Sequence, residues 1–513
     1  MIQPKGEETL EKVKKLLQKT PNALLCVLGA ALFLLVFYKL AYRTPLGEIW
    51  LVPSMDNDEV IYNRQVVSIL THGGPQGYFG YEETHANIGR YGTWGPLLIW
   101  VYALPGFLFG SSVNTVLWCN VLFAIAGLAV FVFAARLPLW QAAVFALAYV
   151  CVWAPIDFIF SGSSESLHYA LALIIVGSSA ALARRNAPGW LAVAAVACAL
   201  ETIFRPYALL FWAFPLAAVW ARRRYRWLCA GGAAASFAFA LFSMTQLSAP
   251  YFSGGGMDFT GFRLLAGGQL AEAVHYELQR AAELLRVLWV GDLGPTLQGN
   301  PQYVGVSCVI FLVLVLVTVG CLVWDLTHKR PRRWKTIALG CTVVIAMVLL
   351  FMYNIAPRHL TLLCMLLLGS LVVENAPQSA VWLPVLAVLL LPMNVERSSM
   401  PCYNAEIAEQ ITAVETALTE SVTARDSDDP WDSTLAYAYA DDVFHGYLYA
   451  VPAGMGIEFD NNTYLADPAN PIYSRYAMVN HGTDAEARLL ADGWQELVST
   501  KDLVVYERPE AGQ

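Results

Sequence analysis

Long apolar runs separated by short polar segments dominate the chain up to about residue 395. An α-helix needs about 20 residues to cross the hydrocarbon of a bilayer. The pattern predicts about eleven such spans, near residues 22–42, 112–135, 138–158, 165–183, 188–204, 206–221, 227–248, 303–324, 335–354, 359–374 and 380–395. With 57% hydrophobic and only 14% charged residues in 513, one water-soluble core is excluded. The sequence therefore predicts an α-helical polytopic membrane protein.

Basic residues give the orientation of these spans, because cytoplasmic loops carry an excess of Lys and Arg. When the eleven spans are threaded through a bilayer, the basic positions fall on one side, at residues 1–21, Arg136, Arg185, 222–226 and 328–335. That side is predicted to be the cytoplasm, with residues 1–21 as a cytoplasmic N-terminal segment.

A further apolar run, "GPLLIWVYALPGFLFG" at 95–110, would reverse every later helix if it crossed the membrane. It is short for a span and contains Pro105. We therefore predict an amphipathic or re-entrant helix on the outer face. The external regions are then the loops 43–111 and 249–302 and the tail 396–513.

The tail 396–513 differs from the rest in charge. It contains 21 Asp and Glu against 6 Lys and Arg, a net −15 that leaves +7 for the remainder of a chain whose total is −8. The apolar stretch "STLAYAYA", the helix-like "TDAEARLLADGWQELV" and the closing strand "DLVVYERP" are typical of a small α/β fold. The sequence thus predicts a membrane domain, 22–395, and a soluble acidic extracytoplasmic α/β domain.

Three acids follow the first span in "PSMDNDEVIYNRQ": Asp56, Asp58 and Glu59. They stand at the start of a predicted helix, where a capping or dipole role is the ordinary interpretation. The same loop continues "GYFGYEETHANIGRYGTWGP". Its aromatic rings and carboxylates suit the binding of a carbohydrate or a polar head group, and His85, Tyr91 and Trp94 are the candidate residues. The alternative is that the Tyr and Trp side chains only lie at the membrane–water interface, where both residue types are enriched.

Further charged residues fall at predicted outer helix ends. Glu165 opens a span in "SESLHYALAL", Arg205 lies in "TIFRPYALL", and Arg358 and His359 lie in "NIAPRHLTLL". A charge near lipid is costly unless it is paired or functional. Two arginines suit a phosphate clamp, while snorkelling to lipid head groups is the alternative.

The sequence contains no motif that identifies a cofactor. The chain has no P-loop and no Gly-rich dinucleotide motif after a strand, so no nucleotide cofactor is expected, and it lacks CxxC and HExxH zinc signatures. A divalent cation such as Mg²⁺ or Ca²⁺ at Asp56, Asp58 and Glu59 stays open, since carboxylate oxygens suit both ions. Nine of the ten cysteines lie in predicted helices, so disulfides are not expected to hold the fold.

These motifs resemble the GT-C superfamily of membrane glycosyltransferases, which includes the protein O-mannosyltransferases and the lipid A aminoarabinose transferases. "NDEVIY" is similar to the Asp-Glu pair that the mannosyltransferases carry in their first external loop, and the Pro-containing run at 95–110 to their external helix. Glu165 matches an acid at the outer start of a middle span. Arg358 matches an Arg near a late span that binds lipid phosphate, but His359 stands where Tyr is usual.

The resemblance implies transfer of a sugar from a polyprenyl-phosphate donor to a glycan, lipid or protein acceptor outside the membrane. Asp58, with Asp56 competing, would be the base of an inverting displacement, and Arg358 and Arg205 would hold the phosphate. A bacterial plasma membrane is the favoured location, with an endoplasmic membrane as the alternative, and no nucleic-acid partner is implied. A transporter or flippase of lipid-linked glycans and a non-catalytic partner subunit of the same fold are the rival hypotheses.

Overall fold

The chain is predominantly helical. The computed structural model describes residues 22–42, 57–74, 79–83, 95–112, 114–151, 158–185, 187–248, 258–300, 302–374, 405–424, 428–439 and 445–509. Its helices before residue 375 are α1 Asn22–Tyr42, α2 Asn57–His72, α3 Pro96–Phe109, α4 Thr115–Ala135, α5 Leu139–Cys151, α6 Glu165–Arg185, α7 Pro188–Phe204, α8 Ala213–Ala218, α9 Arg223–Phe242, α10 Thr260–Ala266, α11 Leu270–Leu288, α12 Gly294–Leu297, α13 Tyr303–Thr327, α14 Arg333–Met352 and α15 Pro357–Glu374.

Six of the described helices are long and apolar enough to cross a membrane, namely α4, α6, α9 with its π-helical continuation to Leu247, α13, α14 and α15. The run at 95–110 forms the 14-residue helix α3 with Pro105 inside it. The predicted span 206–221 is instead a 3₁₀ helix, Pro206–Trp212, followed by the short α8. Pro215, inside this range, lacks the N–H that a continuous α-helix from residue 206 would use there. The predicted span 380–395 lies outside the described residues.

Helix α6 is the centre of the membrane part, almost entirely buried among its neighbours α4, α7 and α15. Its close approach to α4 depends on Gly127, where a Cβ would lie only 2.6 Å from Ala170 Cα. Glu165 begins this helix and Arg185 ends it, and near that end Arg184 Nη2 donates to Ala134 O of α4 at 2.8 Å. Glu165 therefore lies at the helix end opposite to these arginines.

The described tail folds into a small α/β unit, so the predicted fold class is confirmed. Its helices are α16 Ala405–Thr423, α17 Asn462–Ala466 and α18 Asp484–Ala491, with 3₁₀ turns Pro430–Ser433 and His445–Ala450. Its strands are β2 Thr434–Tyr439, β3 Gly456–Asn461, β4 Tyr476–Asn480, β5 Gln495–Ser499 and β6 Leu503–Glu507. Val414 and Leu418 of α16 cover one sheet face and Leu489 of α18 the other.

Two predicted details of the tail differ in the structure. The helix-like stretch ends at Ala491, because Gly493 has a φ of +80°. Its last part, "QELV", belongs to β5, which pairs antiparallel with β6. The sheet order is β1-β3-β2-β4-β6-β5, and β1, Phe79–Gly80, comes from the segment between α2 and α3 and pairs parallel with β3.

Three buried carboxylates meet where β1 joins the tail, those of Glu83, Glu458 and Asp460. Glu83 Oε2 accepts from the amides of Tyr473 and Ser474 at 2.9 and 2.8 Å, and its own amide donates to Asp460 Oδ1 at 3.2 Å. Burial, together with the neighbouring charges of Glu83 and Glu458, raises the pKa of Asp460, and burial also raises the pKa of Glu83. These two carboxyls therefore take up a shared proton as the tail folds.

Asp460→Asn should stabilise the tail at neutral pH. An Asp side chain has a pKa of about 3.9 when unfolded, so the wild-type tail takes up a proton on folding and loses stability as the pH rises above about 4. Asparagine keeps an oxygen for the Glu83 amide and removes this dependence. We expect a gain of about 1 kcal/mol at pH 8, roughly 4–8 °C in melting temperature, that shrinks towards pH 4. Thermal unfolding of the full chain between pH 4 and 9 measures this, with the exposed Asp492→Asn as control. An unchanged pH profile would contradict the assignment.

Candidate functional site

A fixed turn presents Glu165 at the start of α6. Ser163 Oγ and Ser164 Oγ donate to Glu165 Oε2 at 2.6 and 3.2 Å. Asn120 of α4 holds the turn from behind, because its Nδ2 donates to Ser161 O at 2.9 Å and to Ser163 O at 2.6 Å. Tyr102 OH donates in turn to Asn120 Oδ1 at 2.6 Å. The carboxylate of Glu165 is thus oriented by direct hydrogen bonds from two serines. A second set of hydrogen bonds, through Asn120 and Tyr102, fixes the turn that carries them.

Arg205 reaches this carboxylate from the end of α7. The following Pro206 disfavours helical backbone at Arg205, which is extended with a φ of −141°. Its side chain is 4% exposed, and its Nη2 forms an ion pair with Glu165 Oε1. A buried pair of this kind is tolerated because each charge has its partner in hydrogen-bonding geometry.

Arg358 approaches the same oxygen from the first turn of α15. Its Nε lies 3.9 Å from Glu165 Oε1, and its side chain is 30% exposed, against 4% for Arg205. Two guanidinium groups therefore share one carboxylate, and the three side chains carry a net charge of +1. Of the two arginines, Arg358 is the one accessible to solvent.

His359 and Tyr207 extend the cluster. His359 Nδ1 lies 2.8 Å from Tyr207 OH and 3.3 Å from Arg205 Nη1. Because Arg205 can only donate, Nδ1 accepts, and a neutral His359 ring carries its proton on Nε2. Nε2 is buried and has no hydrogen-bond partner among the described residues. The ring of Tyr353 packs edge-on against His359, with centroids 5.4 Å apart.

His168 and Glu201 form a second buried pair of ionisable side chains. His168 Nδ1 is 2.9 Å from Glu201 Oε2, and both side chains are almost completely buried. Sequence analysis missed Glu201 and Tyr207 as site residues. For Glu201 a signal exists, because an acid inside the predicted span 188–204 is costly without a partner. For Tyr207 the sequence gives no such signal, because a Tyr near a helix end is common in membrane proteins.

The segment between α9 and α13 is fastened to the end of α14 and the turn before α15. Arg280 of α11 donates to Phe351 O at 2.8 Å and Tyr353 O at 2.6 Å, and its Nη1 lies 3.1 Å from Asp258 Oδ2. The amide of Asp258 donates to Met352 O at 2.8 Å. The hydroxyl of Tyr276 donates to Asp258 and lowers the pKa of that carboxyl to about 2. Helices α10 and α11 are thereby held against the outer end of α14.

An apolar groove of about 510 Å³ lies between these elements. Phe262 and Leu265 of α10, Leu278 of α11, and Met347 and Phe351 of α14 are among its lining residues. Met352 also lines it, next to Tyr353, whose ring packs against His359. One lining residue of the groove is therefore adjacent in sequence to a residue that contacts the charged cluster.

The structure brings four of the predicted site residues together: Glu165, Arg205, Arg358 and His359. Asp58 and Glu59 are the second and third residues of α2, but their side chains lie outside the described part of the structure, as do Asp56, His85, Tyr91 and Trp94. Within the described ranges, no group of three His, Cys, Asp or Glu side chains is arranged to hold a metal ion. The predicted cation site falls on residues that the structure does not describe in full.

Helix α2 is nevertheless tied to the same end of α4 as the cluster. Asn63 Nδ2 donates to Ser112 O at 3.1 Å, and the amide of Val116 donates to Asn63 Oδ1 at 3.2 Å. Asn120, which holds the turn before Glu165, is four residues after Val116. One helical turn of α4, about 5.4 Å, separates the two attachments.

No protein-family model matches the sequence, and no curated protein matches it either. Among solved structures, the chain is similar to the crystal structure of ArnT from Cupriavidus metallidurans bound to undecaprenyl phosphate. The two share 12% sequence identity, and the alignment covers 95% of this chain and 98% of ArnT with a TM-score of 0.44. At this level the similarity concerns the overall course of the chain and assigns no residue a role.

Proposed function

We propose that the protein is a membrane glycosyltransferase of the GT-C type, which transfers a sugar from a polyprenyl-phosphate donor to a glycan, lipid or protein acceptor on the outer face. The observation that carries this proposal is the convergence of Arg205 and Arg358 on Glu165 beside His359 Nε2. Two guanidinium groups and the unsatisfied N–H donor of His359 suit an anion such as a lipid phosphate.

The donor's phosphate is the leaving group in this reaction. Arg358 and His359 donate hydrogen bonds to its oxygens as the bond to the anomeric carbon breaks, and they stabilise the negative charge that develops. Arg205 positions His359 from within the buried cluster. Asp58, at the start of α2, takes the proton of the acceptor hydroxyl as that oxygen attacks the anomeric carbon. A single displacement of this kind inverts the anomeric configuration.

The groove between α10, α11 and α14 is the proposed site of the donor's isoprenoid chain. Its lining is apolar apart from Glu277, and it includes Met352, which is next to the Tyr353 that contacts His359. An isoprenoid chain that moves from the bilayer into the groove loses little solvation free energy, because both surroundings are apolar. It gains close van der Waals packing against the lining residues. In this proposal the phosphate lies at the charged cluster and the isoprenoid chain in the groove.

Arg358→Met tests the phosphate site. We expect the affinity for undecaprenyl phosphate to fall by roughly 10- to 100-fold, because hydrogen bonds to charged groups contribute about 1.5–3 kcal/mol. Folding should be spared, since the Arg358 side chain is partly exposed. Binding to the purified full chain in lipid nanodiscs measures this, alongside transfer of labelled sugars from polyprenyl-phosphate donors.

The control is Arg286→Met. Arg286 is an exposed arginine of α11 that pairs only with Glu283 among the described residues, and it should bind the lipid as the wild type does. A donor with a short isoprenoid chain should bind more weakly than undecaprenyl phosphate to both proteins. Equal affinity of Arg358→Met and wild type would contradict the phosphate site.

A further inference from the structure

Three consecutive residues of α2 attach this helix to both parts of the chain. Tyr62 packs against the core of the membrane part and against the core of the tail. Asn63 is bonded to the start of α4 on both its amide nitrogen and its oxygen. Arg64 enters the tail. Helix α2 thus lies between two folded units and contacts each through different side chains.

Arg64 links α2 to the tail through three hydrogen bonds. Its guanidinium is buried and donates to the carbonyls of Val451, Pro452 and Met455, the last two at 2.7 and 3.2 Å. These carbonyls belong to the turn between the 3₁₀ helix His445–Ala450 and β3. A guanidinium with several carbonyl acceptors in a buried setting fixes both position and direction, because its donors form a rigid planar fork.

The same external segment is held at a second point. Beyond α2, strand β1 adds to the sheet edge at β3, and Glu83 accepts from the amides of Tyr473 and Ser474. The turn that binds Arg64 leads directly into β3, so both attachments converge on one region of the tail. On the other side of α2, Val66 and Ile69 are buried in the core of the membrane part.

We propose that Arg64 is a positioning residue through which the tail holds α2 in place over the membrane domain. This proposal rests on the proposed function in one respect: Asp58, the candidate base, lies six residues before Arg64 on the same helix. Fewer than two helical turns separate them. The tail therefore acts in sugar transfer by fixing the helix that carries the base, and it needs no contact with substrate to do so.

The test compares Arg64→Ala, Arg64→Lys and Arg488→Ala in the full chain in nanodiscs. Arg488 is the matched control, because it too donates to three carbonyls, those of Leu465, Asp467 and Asn470, all within the tail. Hydrogen–deuterium exchange of peptides from 57–72 reports on the docking of α2. The kcat and the donor KM of sugar transfer report on the positioning of the base.

Arg64→Ala should raise the exchange of α2 amides about tenfold and lower kcat by about 10- to 100-fold, since a misplacement near 1 Å has that effect. Its donor KM should stay within about twofold, because the phosphate cluster is untouched. Arg64→Lys should recover part of both losses. Arg488→Ala should raise exchange in the tail and leave α2 protection and kcat unchanged.

Wild-type protection of α2 and wild-type kcat in Arg64→Ala would overturn the proposal while leaving the proposed function intact. Equal loss of kcat in Arg64→Ala and Arg488→Ala would also overturn it, because general stability of the tail would then account for both. If the wild type transfers no sugar from any donor, the proposed function fails. The exchange of α2 alone then decides whether Arg64 holds the helix.

Discussion

Asp58→Asn is expected to abolish sugar transfer while the protein still folds and binds polyprenyl phosphate. A general base that removes the acceptor's proton accelerates transfer by about 10²- to 10⁴-fold, and asparagine cannot take up that proton. The substitution keeps the size and hydrogen-bonding reach of the side chain. If Asp58 only favours the dipole at the start of α2, the change should cost about 1 kcal/mol or less and spare activity.

Asp56→Asn and Glu59→Gln in the same assay identify the base among the three acids. Single-turnover transfer at saturating donor separates a loss of chemistry from a loss of binding. We expect only Asp58→Asn to lose the chemical step. Wild-type rates in all three variants would leave these acids with a structural role. Failure of the wild type itself to consume any donor would favour the transporter and partner-subunit hypotheses.

The helices were predictable from apolar run length, because lipid requires every backbone N–H and C=O to be satisfied within the segment. This principle places α1, α4, α6 and α13 close to their predicted ranges. It fails at 206–221, where the average hydropathy is high but Pro215 interrupts the hydrogen-bond ladder. Proline position, rather than hydropathy, decides the local structure there.

The sequence predicts which charged residues belong to the cluster, but it does not predict which of them form ion pairs. The cost of a charge near lipid marks Glu165, Arg205 and Arg358 one by one. Which carboxylate meets which guanidinium depends on how α6, α7 and α15 pack, and no spacing in the sequence encodes it. The same holds for β1, a two-residue strand that pairs with β3 across more than 370 positions. Long-range pairings of this kind follow from the assembled fold.

Arg205→Met is expected to destabilise the membrane domain by about 3–5 kcal/mol, because it leaves Glu165 buried without its close partner. Arg358 Nε lies 3.9 Å from Glu165 Oε1, too far to replace the lost hydrogen bond. Unfolding of the protein in mixed micelles by increasing detergent denaturant measures the loss. Arg184→Met is the control. Arg184 is an arginine at the opposite end of α6 that donates to Ala134 O, and its substitution should cost far less.

The double variant Arg205→Met/Glu165→Gln separates folding from anion binding. Glutamine keeps the acceptor for Ser163 and removes the buried charge, so most of the stability should return. Binding of undecaprenyl phosphate should remain weak, because His359 loses the arginine that positions it. A double variant that regains both stability and lipid affinity would show that Arg205 serves only the fold. Recovery of stability without lipid affinity would show that the ion pair of Arg205 with Glu165 keeps the Arg205 guanidinium beside the phosphate site. The fold then tolerates the free-energy cost of burying this pair.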